Sequence, residues 1–136
     1  MRILIVEDDK DVCEILTDYL TNLFEKIEIS CCNDGSSALH NINLNHYDYF
    51  FFDLSISTAI NGMDLIKAAR IKILLNNGGL DSSKNDPGIF VISGNIDKPT
   101  RKYLRDHNID GALHKPFSYK NIIEMINNLS CRLWYN

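Results

Sequence analysis

Four short clusters in the chain carry side chains suited to phosphate or metal chemistry. Glu7, Asp8 and Asp9 follow the apolar run at 3–6, and Asp53 closes the run Tyr49-Phe50-Phe51-Phe52. Ser93 and Gly94 follow the apolar residues 89–92, and Lys115 and Pro116 follow His114. Three consecutive carboxylates facing a fourth would repel by several kcal/mol in a low dielectric. A hard divalent cation relieves that repulsion. Mg²⁺ takes oxygen ligands, keeps several waters and uses one or two carboxylates; Mn²⁺ could take the same place. A carboxylate such as Asp53 can also attack phosphorus and form an acyl phosphate. The new phosphoryl oxygens would then need a cation and a hydroxyl donor, which Lys115 and Ser93 can supply.

Such chemistry requires elements that bring the clusters to one place. Strand-like runs occur at 2–6, 27–32, 49–54, 89–92 and 111–114. Between them lie helical patterns. Val12, Ile15, Leu16, Tyr19, Leu20 and Leu23 recur at the spacing of one helix face. Asp34 offers a cap for a short helix to about residue 43, and a third helix spans 62 to about 75. Asp97-Lys98-Pro99 opens a helix to about 107. Ser118 caps a last helix with Ile122, Ile123, Ile126, Leu129 and Leu133 on its inner side.

The pattern is strand-helix repeated five times. The runs at 3–6 and 50–52 do not alternate, as befits strands covered on both faces. The expected fold is α/β: a doubly wound, five-stranded parallel sheet of the flavodoxin-like (βα)5 kind. Ligands of such sheets sit at the carboxyl ends of the strands, where the strand order reverses. All four clusters fall there, whereas Asn33-Asp34-Gly35 reads as a plain helix-entry turn. The one long connection, 76–88, is rich in Gly, Ser, Asn and Asp and is expected to face away from the clusters.

Composition narrows the function classes. The 136 residues form one domain's worth of chain, with 14 Lys+Arg against 18 Asp+Glu and a net charge of −4. That balance speaks against sequence-independent nucleic-acid binding. No apolar run reaches the length of a membrane span, and the start lacks the features of a secretory leader. Cys13, Cys31, Cys32 and Cys131 lack zinc-type spacing and read as buried small residues in a reducing compartment, which points to the cytoplasm.

The four clusters, in this order and at these strand ends, resemble the receiver domain of two-component response regulators. The resemblance spans residues 1–130, with 131–136 as a tail, and leaves open a stand-alone receiver or a piece of a longer regulator. It implies that Asp53 is the phosphoacceptor, served by a sensor histidine kinase or a histidine phosphotransfer protein. It implies Mg²⁺ held by Asp8, Asp53 and the backbone carbonyl of Ser55, with Glu7 acting through water. Ser93 matches the switch hydroxyl and Lys115 the phosphate-pairing lysine, whose bond to Pro116 is usually cis in the family. The output partner is a protein that the residues do not identify.

Two departures stand out. The run from Leu54 to Asn61 lacks the usual proline, and Gly62 lies nine residues after Asp53, one more than usual. The usual aromatic switch position holds Ala112, which leaves loop and helix shifts or another ring, His114 or Tyr103, to carry the signal. Ala112 is also the feature that would fit a degenerate receiver binding partners without phosphorylation. A small Mg²⁺-dependent phosphohydrolase with an Asp nucleophile would need a second Asp where Ser55 stands, and a cap domain. A flavin or nucleotide binder would need a phosphate loop where Glu7-Asp8-Asp9 would repel one.

Overall fold

The computed structural model describes residues 1–78 and 86–128. Five strands, β1 Arg2–Val6, β2 Glu28–Cys32, β3 Tyr49–Asp53, β4 Gly88–Ser93 and β5 Gly111–His114, alternate with five helices. The helices are α1 Lys10–Leu23, α2 Gly35–Leu44, α3 Gly62–Asn76, α4 Lys98–Asp106 and α5 Tyr119–Asn127. All strand pairs are parallel, in the order β2-β1-β3-β4-β5. The doubly wound five-stranded fold expected from the strand-helix alternation is therefore the fold observed.

Strand period divides the core in two. Leu4, Val6, Phe50, Phe52, Ile89 and Val91 meet α2, α3 and α4 on one face. Ile3, Ile5, Phe51, Phe90, Ile92 and Leu113 meet α1 and α5 on the other. Each helix entry is fixed by a polar cap. Asp9, Asp34, Asn61, Asp97 and Ser118 each accept a backbone N–H of the first turn. Asn61 and Ser118 form reciprocal capping boxes with Asp64 and Asn121. Asp9, Asp34, Asp97 and Ser118 turn the chain within four residues of a strand's carboxyl end, whereas Asn61 follows the longer loop after β3.

Several boundaries and orientations differ from the periodicity reading. β2 starts at Glu28, β3 stops at Asp53, and β4 takes in Gly88 and Ser93. On α1 the inward seam is Cys13, Leu16 and Leu20, so Ile15 is turned outward and 45% exposed. On α5 the fully buried positions are Ile122 and Met125, with Ile123 and Ile126 at the flanks. In both helices the seam chosen is the one that interlocks with the sheet, which a count of apolar residues along the chain does not contain. Leu129, Leu133, Cys131 and most of the 76–88 connection lie outside the described residues. Cys31, expected to be buried, is exposed, because β2 is an edge strand.

The loop after β3 is tied down. Thr58 Oγ1 donates to the Ile60 carbonyl and accepts from the Gly35 N–H at 3.2 Å, while Ile56 is buried. Where the loop re-enters α3, Gly62 lies against β3 itself. A Cβ there would sit 2.4 Å from the Asp53 carbonyl oxygen and 2.9 Å from Leu54 Cα, both backbone atoms. Gly62→Ala should therefore destabilise the chain by about 3 kcal/mol, the upper end for overpacking. Gly94→Ala, with nothing within 4 Å of its added methyl, should stay within about 0.5 kcal/mol of the parent. Equal melting of the two variants in urea would contradict the close packing of α3 on β3.

Candidate functional site

The sheet order sets β1 and β3 side by side, and the chain leaves them on opposite faces of the sheet. Val6 pairs with Phe52, Asp53 with Ile92, and Ser93 with His114. Glu7, Asp53, Ser93 and Lys115 thus emerge at one edge. Three of them are withdrawn from solvent: Glu7 is 2% exposed, Asp53 1% and Ser93 4%. Asp8 is exposed at the rim.

Lys115 holds the two buried carboxylates. Its Nζ lies 2.7 Å from Glu7 Oε2 and 3.3 Å from Asp53 Oδ2. The Lys115-Pro116 bond is cis, as the resemblance implied. The other carboxylate oxygens are taken by backbone. Glu7 Oε1 accepts from the Asp9 N–H at 3.1 Å, and Asp53 Oδ1 from the Ser55 N–H at 2.8 Å. Oxygens of Glu7, Asp8 and Asp53 come within 4.8 Å of one another, a cluster that could hold a metal ion.

The electrostatics follow from burial and charge count. Burial pushes the Glu7 carboxyl up to about 7; the hydrogen bond from Lys115 opposes this and the charge of Asp53 adds to it. Burial also works against the Lys115 ammonium. Its hydrogen bond to Glu7 and the charges of Asp53 and Glu7 outweigh that cost and hold its pKa above the usual lysine value. Two buried carboxylates thus share one cation, with Asp8 beside them. The residual negative charge suits a divalent cation coordinated by oxygen.

The remaining expected residues are placed less directly. Ser93 Oγ donates to the Asn95 carbonyl at 2.9 Å and accepts the Asn95 N–H at 3.2 Å, so its hydroxyl is engaged by its own loop. Ser55 meets Asp53 through its N–H. Ala112 and Tyr103 pack against the same core cluster, on the α2–α4 side of the sheet. Tyr103 stacks on His107 with ring centroids 3.9 Å apart, and its buried hydroxyl has no hydrogen-bond partner among the described residues. His114 is exposed. The Lys115–Glu7 pair is the feature that sequence reasoning misses: the two residues directly follow β5 and β1, and nothing along the chain links them. The Thr58 anchor is equally silent in the sequence.

Comparison with known proteins agrees with this geometry. The family model described as "Response regulator receiver domain" matches residues 3–127. Regulatory protein VanRB of Enterococcus faecalis is 24% identical over 129 residues, covering 95% of this chain and 52% of its own length. Response regulator SaeR of Staphylococcus aureus is 23% identical over 132 residues, covering 97% and 51% respectively. The chain therefore spans about half the length of these curated relatives. The receiver domain of the Francisella response regulator 1452 superposes with a TM-score of 0.68 at 26% identity, covering 96% of this chain and 97% of that one. Chemotaxis protein CheY4 of Vibrio cholerae superposes with a TM-score of 0.73 at 17% identity, covering 94% and 97%.

The raised Glu7 value has a consequence for stability. A carboxyl that binds its proton more tightly in the fold than in the unfolded chain supports folding while protonated. That contribution is fully present below the ordinary value of 4.5 and is lost as pH rises through about 7. Without divalent metal, the parent should lose stability relative to Glu7→Gln across this window, by at most about 3 kcal/mol at 1.36 kcal/mol per unit. Urea unfolding at a series of pH values measures the difference, and parallel curves for the two proteins would contradict it.

Proposed function

The chain belongs to the family of response regulator receiver domains, and on that premise we propose that it is a phospho-accepting switch whose acceptor is Asp53. The observation that carries the proposal is the position of the Asp53 carboxylate. It sits buried at the end of the central strand, paired with Lys115 at 3.3 Å and grouped with Glu7 and Asp8.

In this reading an Asp53 oxygen attacks phosphorus on a phosphohistidine of a sensor kinase or phosphotransfer protein. The P–O bond forms as the P–N bond breaks, and the histidine leaves with the electron pair and takes up a proton. Asp8, Asp53 and the Ser55 carbonyl would hold Mg²⁺ or Mn²⁺, with Glu7 acting through water. When bound, the ion would offset negative charge on the transferred group. Lys115 pairs with the new phosphoryl oxygens once Asp53 no longer offers it a bare carboxylate. Ser93 reaches them only by giving up Asn95, so phosphorylation releases the 93–97 loop and the start of α4. With Ala112 on β5, that loop movement is the first structural change that a partner can read. Water later cleaves the acyl phosphate and returns Asp53, so the chain resets without being an enzyme toward other substrates.

We take residues 1–130 as the folded unit and 131–136 as a tail, acting in the cytoplasm on an output protein. No helix among the described residues is long and apolar enough to cross a membrane. A second reading, a phosphorylation-independent binding module, draws on Ala112 alone. A phosphohydrolase is disfavoured by Ser55 at the place of the second acid.

Intact mass after incubation with Mg²⁺ and acetyl phosphate tests the proposal. The parent should gain one phosphoryl group, Asp53→Asn none, and Asp8→Ala none at Mg²⁺ levels that saturate the parent. Equal gain in parent and Asp53→Asn, or no gain in the parent, would overturn it.

A further inference from the structure

Away from the acidic edge, two cysteines from different elements meet. Cys13 on α1 and Cys31 on β2 have sulfurs 2.8 Å apart, the Cys13 thiol donating to Cys31. A disulfide requires about 2.05 Å, so the sulfurs need only close by roughly 0.8 Å. Their accessibility differs. Cys13 is buried in the α1–α5 core layer, whereas Cys31 is exposed on the edge strand. An open groove of ≈ 460 Å³, lined by Lys10, Cys13, Glu14, Thr17, Asp18 and Cys31, leads solvent to the pair. Burial, then the contact with Cys31, pushes the Cys13 thiol up to about 12, which keeps it protonated as the donor. Cys32 cannot compete. Neighbouring strand residues point to opposite faces, and Cys32 lies in the other core layer, with its sulfur 3.4 Å from Asn41 Nδ2.

We propose that Cys13 and Cys31 are a redox modification site that a peroxide converts reversibly into a disulfide. The exposed Cys31 sulfur reacts first, attacking a peroxide oxygen and breaking the O–O bond. It takes one peroxide oxygen to become a sulfenic acid, and the other oxygen leaves as water. The Cys13 sulfur then bonds to Cys31 and loses its proton, and the sulfenic hydroxyl departs as a second water. Each sulfur loses one electron, and the peroxide O–O bond accepts both. The cross-link fastens α1, whose cap Asp9 adjoins the acidic cluster, to the outer strand. An exposed bond of this kind is open to reduction, the character of a regulatory rather than a structural disulfide. The site does not depend on the reading of Asp53.

The test uses the full chain, reduced and then treated with hydrogen peroxide. Free thiols are alkylated after unfolding, and the products are read by intact mass and peptide mapping. The expected product has lost about 2 Da, for two hydrogens, and links Cys13 to Cys31; dithiothreitol reverses it. Cys31→Ser, at an exposed position that leaves the core untouched, should abolish the link. Cys32→Ser and Cys131→Ser should retain it. The proposal is overturned if Cys31 proceeds to sulfinic acid while Cys13 stays free, if both thiols stay free, or if the link involves Cys32 or Cys131.

Discussion

One lysine ammonium stands between two buried carboxylates, and the functional edge of this molecule is organised around it. At about 4 Å and an effective dielectric near 20, two bare carboxylates repel by roughly 4 kcal/mol. Lys115 offsets that repulsion for Glu7 and Asp53 together. The strand order makes this possible and also demanding. β5 is two strands away from β3, roughly 10 Å at ordinary strand spacing, and β1 lies beyond that. Only a long, flexible cation rooted at the end of β5 reaches across the end of β4 to both acids. The buried strand ends, the capped helices and the tight seat of Gly62 fix the endpoints of that reach.

The same arrangement leaves the site unsatisfied in a useful way. Once Glu7 has ionised, above about pH 7 in the metal-free protein, Lys115 neutralises one charge while Glu7, Asp53 and the nearby Asp8 bring three. The surplus favours a divalent cation. Ser93, directly on the path from β5 to β3, has its hydroxyl committed to Asn95. In the proposed phospho-switch, a new anion at Asp53 would offer it a stronger acceptor, and the chemistry at the acid would then translate into release of a loop. Ala112 on β5 offers no ring at that position, and Tyr103 on α4, whose hydroxyl has no hydrogen-bond partner among the described residues, packs against the same core cluster.

Much of this is legible along the chain because parallel strands write their ends plainly. An unbroken apolar run followed by an acid, a Ser-Gly or a Lys-Pro marks both a strand and its functional edge. Asp53 and Glu7-Asp8 are found that way. What escapes is whatever depends on contact between distant segments. Glu7 reads as a metal-side acid, yet its buried carboxylate is first the partner of Lys115. Ile15 fits a helix face by count but turns outward, because interlocking with the sheet selects Cys13, Leu16 and Leu20. Cys31 reads as a buried small residue, but β2 lies at the sheet edge and exposes it. Its meeting with Cys13 depends on how α1 lies over that edge, which no local pattern records.

The central claim is that Glu7, Asp53 and Lys115 form one electrostatic unit. Carbon-13 NMR titration of the Glu7 carboxyl in metal-free protein tests it directly. In the parent the carboxyl should titrate near 7. The midpoint should rise in Lys115→Met, which removes the stabilising cation, and fall in Asp53→Asn, which removes the neighbouring negative charge. Titration of Glu7 near the ordinary 4.5 in all three proteins would contradict the account.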